Sequence, residues 1–266
     1  MNNKKITKPI ICAAIILGIF YAIEIAMVYL NLFPDNNILF CVDIILRIIF
    51  GTVSLILLRG YSNSNESKYS VKQLFTNKVA LNTWLVLIPF ILYIVAPFIK
   101  LFTAYLFTTS VLGPFIIIVI QQFATGYFEE ATHRGLMMNG LLKYNTDTIK
   151  QRLVTVIIAG TFFGLSHIAN IFFGENPLVQ VPPCILSGMF IAAVYMLSDN
   201  LLLVMILHAL SDTTYKIPNA LFGYVHDAAI CQVVEYARTA INYVILPLMA
   251  VLICIFYDKL KRKEAL

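Results

Sequence analysis

Three short stretches of this chain set ionisable side chains inside apolar runs: Glu129, Glu130, His133 and Arg134 in "EEATHR", His167 four residues after Phe163 in "FFGLSH", and His208 with Asp212 in "HALSD". Carboxylates and imidazoles at one-turn spacing are the groups that move protons, hold a water or ligate a metal ion. At about 100° per residue, Glu129 shares a helix face with His133, while Glu130 shares the next with Arg134. The two glutamates therefore divide the work. Arg134 can neutralise Glu130, which leaves Glu129 to point inward as a general base. His208 and Asp212 are also one turn apart and can face one cavity, and Phe163 and His167 repeat that spacing.

The elements that must position these groups are membrane helices. Of 266 residues, 60% are hydrophobic and 12% charged, about half the charged share of a soluble domain. Apolar stretches near 9–32, 37–58, 79–99, 113–142, 152–172, 183–198, 200–216 and 238–257 follow one another along the chain. The longer ones suffice to cross a hydrocarbon core of about 30 Å. The expected fold class is all-α: a polytopic membrane protein of about eight transmembrane helices with a buried polar active site. One membrane-embedded domain spans 1–266, and residues 114–212 form the core that carries the three stretches.

The net charge of +5 does not point to nucleic acid, because the basic residues gather at helix ends. Lys4, Lys5 and Lys8, then Arg59, Lys68, Lys72 and Lys78, then Lys143, Lys150 and Arg152, then Lys259, Lys261, Arg262 and Lys263 fall on one side. Lys100, Lys216 and Arg238 fall on the other. The positive-inside rule then predicts a multi-pass protein of the cell membrane with both termini cytoplasmic. The first apolar stretch lacks a persuasive cleavage site and reads as a retained helix. Residues 59–78 read as a solvated polar loop, and "GENPLVQVPP" as a re-entrant turn or the start of the next helix. No internal repeat is visible, which weakens a transporter reading. The five cysteines are scattered and suggest neither a disulfide framework nor a thiolate metal site.

Arg47 and Arg134 fall inside predicted spans, where a charge costs about 2.5–3.5 kcal/mol at the centre. Each follows an acid by four residues. Asp43, Arg47 and Glu24 read as a structural group. Depth gives an independent check on the chemistry-bearing set. With a rise of about 1.5 Å per residue, Glu129, His167, His208 and Asp212 fall about 12–22 Å from the predicted inner helix ends, at roughly one level.

Two chemistries fit that set. In one, Glu129 and His167 deprotonate a water that attacks a peptide carbonyl, while His208 and Asp212 donate or orient hydrogen bonds to the oxyanion. In the other, Glu129, His167 and His208 are three ligands of a Zn²⁺ ion with an open position for water. No cofactor is firmly implied, and zinc is the possible one. Ser166, Ser187, Ser198 and Ser211 read as helix-packing hydroxyls, His133 as a packing or solvated histidine, and His226 as an outer-loop residue with no role.

The three stretches resemble the motifs E-E-x-x-x-R, F-x-x-x-H and H-x-x-x-N/D of the CAAX prenyl protease and bacteriocin-processing (CPBP, or Abi) family of intramembrane proteases. They occur in order, from about Pro114 to Asp212. The resemblance implies Glu129 as catalytic glutamate, His167 as its water-activating partner, and His208 with Asp212 as the oxyanion pair. Glu130, Arg134 and Phe163 would support the site. It further implies an endopeptidase, glutamate-dependent or metal-dependent, acting on a peptide or a lipidated, membrane-associated protein. Asp212 departs from the Asn expected in the eukaryotic enzymes, which removes a neutral amide donor. The Ile/Asn/Lys-rich composition looks bacterial. The competing expectation is a non-catalytic bacteriocin self-immunity protein or a sensor-kinase regulator, with a peptide exporter or a sensor kinase as partner.

Overall fold

A computed structural model describes residues 3–104, 112–143, 145–222 and 229–262. Among the described residues every regular element is helical. The helices are α1 (Asn3–Tyr29), α2 (Asn36–Asn63), α3 (Val71–Thr76), α4 (Leu81–Ala104), α5 (Leu112–Glu130), α6 (Asn139–Leu142), α7 (Ile149–Ser166), α8 (Pro177–Ser198), α9 (Leu201–Phe222), α10 (Ala229–Ala240) and α11 (Leu246–Arg262). A π-helical segment, Ala131–Met138, joins α5 to α6 in one continuous rod. A second, Ile241–Ile245, joins α10 to α11, and a 3₁₀ turn, His167–Phe173, prolongs α7.

Among the described residues, five helical stretches are long and apolar enough to cross a membrane: Lys8–Tyr29, Asn37–Asn63, Ile149–Phe173, Pro177–Ser198 and Gln232–Lys261. Leu81–Pro97 is a shorter apolar helix. The rods of α5 and α9 complete the eight expected stretches, and they carry the buried Glu129, Glu130, His133, Arg134 and His208. The chain is an all-α polytopic membrane protein.

Its polarity is arranged as a bilayer requires. On α1, Ile11, Ile15 and Ile19 face outward while Ala13, Ile16, Leu17 and Phe20 are buried. Charged and polar groups are turned inward, where helices and not lipid surround them. The second half of α8, from Phe190 to Ser198, is buried throughout and forms the central rod. Against it pack α7 and α11, while α5 pairs with α9 on one side and α2 on the other.

Close helix approach depends on particular glycines. A Cβ on Gly160 would lie 2.7 Å from the Met189 nitrogen, and one on Gly164 2.8 Å from the Ile185 nitrogen, so α7 lies backbone to backbone on α8. A Cβ on Gly126 would lie 2.8 Å from the Met205 carbonyl oxygen, which brings α9 equally close to α5. Without a hydrophobic drive between helices in lipid, this close packing is a main source of association.

Two expectations need correction. The eighth helix starts at Pro177, not 183; Asn176 caps it by accepting the Leu178 N–H at 3.0 Å, and its prolines lie within the first two turns. Residues 59–78 are also more ordered than a solvated loop. α2 continues to Asn63, Ser70 and Gln73 form a capping box at the start of α3, and Leu74 is fully buried. Asn139 binds the intervening turn: its Oδ1 accepts from the Lys68 and Tyr69 N–H groups at 3.2 and 3.1 Å, and its Nδ2 donates to the Tyr69 oxygen at 3.1 Å.

Candidate active site

The site forms where the end of α5, the end of α7 and the first half of α9 converge beside α8. Glu129 and Glu130 are the last two residues of α5. Directly after them the helix widens into its π segment, with the Asn139 N–H reaching back to the Arg134 oxygen. Such insertions recur at functional sites because they re-aim neighbouring side chains. Thr132, within the segment, shares a 2.8 Å hydrogen bond with Ser54 of α2, which anchors the rod from its other side.

Glu130 is fully buried and central. Its Oε1 accepts Arg134 Nη1–H at 2.9 Å and lies 2.7 Å from His208 Nδ1. Arg134, also fully buried, donates through Nη2 to the Gly188 oxygen at 3.1 Å and lays its guanidinium over the Phe163 ring at 4.5 Å. The i, i+4 pair expected from sequence is therefore present, and it also takes in a helix carbonyl and an aromatic face. Such a pair is tolerated in a low-dielectric interior only with these further partners.

Glu129 is differently placed. It is buried, yet its Oε2 has no hydrogen-bond partner among the described residues. That oxygen lies 3.6 Å from His208 Nε2. Asp212 Oδ2 lies 3.5 Å from the same nitrogen. Both distances exceed a good hydrogen bond, so Nε2 keeps its capacity for a third group. The Asp212 side chain is 34% exposed while that of Glu130 is closed off, so the cluster opens at its Asp212 end.

Phe163 holds the rings in register. Its centroid lies 4.8 Å from that of His167, 5.5 Å from His208 and 5.1 Å from His133, each edge to face. His167 is half-buried, and its Nδ1 lies 2.9 Å from the Phe163 oxygen. A carbonyl only accepts, so Nδ1 donates, and in the neutral ring Nε2 is then the acceptor. The same logic fixes His133, whose Nδ1 donates to the Glu129 backbone oxygen at 2.7 Å. His133 is buried against Phe162 and Phe163 as a packing histidine.

The structure thus brings together Glu129, Glu130, Arg134, Phe163, His208 and Asp212. His167 joins through the Phe163 ring, and among the described residues it makes no direct hydrogen bond or ion pair with Glu129. Of the donors of the zinc reading, Glu129 Oε2 and His208 Nε2 lie 3.6 Å apart, and among the described residues no group of three His, Cys, Asp or Glu is placed to hold a metal ion. Glu24, Asp43 and Arg47 form their own cluster, with Arg47 bonded to both acids at 2.9 and 2.8 Å and Gln121 donating to Asp43 at 2.8 Å. His226 lies outside the described residues. Sequence reading missed Gly126, which sets the α5–α9 distance, and Gly188, whose carbonyl completes the Arg134 shell. The first carried a faint signal in the small triplet Ala124-Thr125-Gly126; the second carried none.

A buried carboxylate with an unbonded oxygen 3.6 Å from a histidine on a facing helix is an arrangement able to move a proton within the membrane. Residues 111–214, which hold the whole cluster, match the family model described as Type II CAAX prenyl endopeptidase Rce1-like. Over that stretch the chain is similar to this family, whose description names an endopeptidase. No curated protein and no solved structure matches the chain.

Proposed function

We propose that the protein is an endopeptidase in which Glu129 and His167 activate a water, and that the reaction needs no metal ion. The observation that carries this reading is the asymmetry of the two glutamates. Glu130 is engaged through Oε1 by Arg134 and His208, with only its Oε2 unbonded, whereas Glu129 Oε2 is buried without a hydrogen bond and lies 3.6 Å from His208 Nε2, the nitrogen that also meets the partly exposed Asp212.

Glu129 takes a proton from the water as it attacks the scissile carbonyl. His167, its Nδ1 already committed to the Phe163 oxygen, offers Nε2 as a second acceptor. His208 stands beside Glu129, its Nε2 3.6 Å from Oε2. In its imidazolium form, counterbalanced by Glu130, Nε2–H donates to the oxygen of the tetrahedral intermediate. Asp212 orients that ring and does not itself donate, so the Asp in place of Asn removes less than its lost amide suggests. Glu129 then returns its proton to the leaving amine, and the water's oxygen remains on the new carboxylate.

The substrate is a peptide or a lipidated, membrane-associated protein, since the family description names prenylated CAAX chains and the site lies among membrane helices. Expression of the wild type and Glu129→Gln in membranes of a strain lacking the endogenous protein, with products compared by mass spectrometry, tests this. Loss of discrete peptide products in the variant supports it. Products unchanged in the variant would favour an immunity or regulatory role.

A further inference from the structure

Burial along the helices that carry the site is unevenly divided. On α5 no residue from Leu112 to Gln121 is buried, whereas every residue from Phe128 through the π segment to Leu142 is. On α8 none from Pro177 to Ser187 is buried, whereas all from Phe190 to Ser198 are. α9 runs back the other way and shows the reverse order. Its residues from Leu201 to Ala209 are buried but for Leu202 and Ile206; then Leu210, Ser211 and Asp212 are half-buried, and Tyr215 and Lys216 are exposed. The three helices are thus sealed together over one half of their length and packed openly over the other. Glu129, His208 and Asp212 stand where the sealed half ends.

The sealed half is the basic end of the molecule. Lys261 holds the α8–α9 link there, its Nζ 2.6 Å from Asp199 Oδ2, and Asn77 Nδ2 donates to the Asp199 backbone oxygen at 2.8 Å. Arg152, at the start of α7, pairs with Asp258, near the end of α11, at 2.9 Å. With a rise of about 1.5 Å per residue, Glu129 lies about 20 Å along its rod from Leu142, and Asp212 about 17 Å along α9 from Leu201. Between them and the basic end, Leu136, Met137, Met138, Leu142 and Tyr195 are each at most 1% exposed, and this packing closes the route from that side. α7 also starts at the basic end, and its length carries His167 about 27 Å away from Ile149. The 3₁₀ turn that follows His167 contains no buried residue. The exposed flank of the site, at Asp212, therefore faces away from the basic end.

We infer that the site takes its substrate from the membrane half opposite the basic end, which the positive-inside rule makes the non-cytoplasmic half. The inference rests on the endopeptidase reading and deepens it. The substrate is a peptide segment already carried across the bilayer or inserted into it, so a translocation or insertion step must come before cleavage. A chain presented only at the cytoplasmic surface would not reach Glu129.

Two measurements on the full chain in membrane vesicles test it. In the first, Ser211→Cys, beside Asp212, and Lys150→Cys, at the basic end, are treated from outside with a charged maleimide, and the reaction of the parent chain is subtracted. A charged reagent crosses hydrocarbon poorly, so Ser211→Cys should react about ten-fold faster in right-side-out vesicles than in inverted ones, and Lys150→Cys the reverse. Faster reaction of Ser211→Cys in inverted vesicles, equal reaction in both, or none in either overturns the inference. In the second, the wild type is given a quenched, acylated peptide whose charged head keeps it on the outer face, and only products absent in Glu129→Gln are counted. Cleavage should be about ten-fold faster in right-side-out vesicles, for the same reason; equal or faster cleavage in inverted ones overturns the inference. Should neither preparation cleave the peptide, the endopeptidase reading loses its support, and the thiol pattern alone decides where the site opens.

Discussion

His208 Nδ1 stands 2.7 Å from Glu130 Oε1, the oxygen that also accepts the Arg134 guanidinium. One buried carboxylate therefore fixes a ring on α9 and a cation on its own helix, and the neighbouring carboxylate of Glu129 is spared both tasks.

Substitution Glu130→Gln leaves Arg134 buried with its charge uncompensated. Breaking a buried pair from one side costs about 3–5 kcal/mol, so the variant should unfold at distinctly lower temperature in detergent and lose activity. Glu129→Gln, which removes no hydrogen bond made by the Oε2 atom, should unfold close to the wild type. Equal thermal stability of Glu130→Gln and the wild type would contradict the division of roles.

Gly126→Val places side-chain atoms against the Met205 carbonyl, 2.8 Å from the position of a Cβ, where only backbone can yield. Overpacking of this kind costs about 1–3 kcal/mol. It should also push α9 away and so reduce cleavage more than stability alone explains. A crosslink between cysteines introduced at Thr125 and Ala209 would form less readily in the variant.

Asn139→Ala removes three hydrogen bonds that bind the turn at Lys68 and Tyr69. Buried backbone groups left without partners cost about 1–3 kcal/mol, and the turn should open locally. Trypsin should then cut at Lys68 several-fold faster than in the wild type, with the membrane core left intact.

Much of this was legible beforehand, for physical reasons that differ by element. The i, i+4 relation of Glu130 and Arg134 is a property of one helix, so spacing alone gave the ion pair. The apolar run at 113–142 likewise predicted the rod that carries it. The pairing of Glu130 with His208 was not legible, because it depends on how α9 is rotated against α5 and on the close approach at Gly126. Spacing within each helix suggested His167 as the partner of Glu129, whereas tertiary packing puts His208 nearest. The π segment escaped notice because its residues carry no local signal for the wider turn, and its partners Ser54 and Gly188 lie on other helices. The start of α8 was misplaced because Pro182 and Pro183 read as breakers, although prolines early in a helix are tolerated.

A metal-free site should tolerate chelation. Treatment of purified protein with a strong chelator, followed by buffer exchange, should leave the cleavage rate within about two-fold of the untreated rate, since the water is activated by side chains. Loss of activity restored by Zn²⁺ would instead require the Glu129, His167 and His208 donors to gather around an ion.

The most direct test of the central claim is the rate at which purified wild type and Glu129→Gln, matched in thermal stability, release product from one lipidated peptide. Loss of a positioned general base is expected to slow cleavage by about 10²–10⁴-fold with the same cut site in any residual product. Cleavage by Glu129→Gln at the wild-type rate would contradict the account.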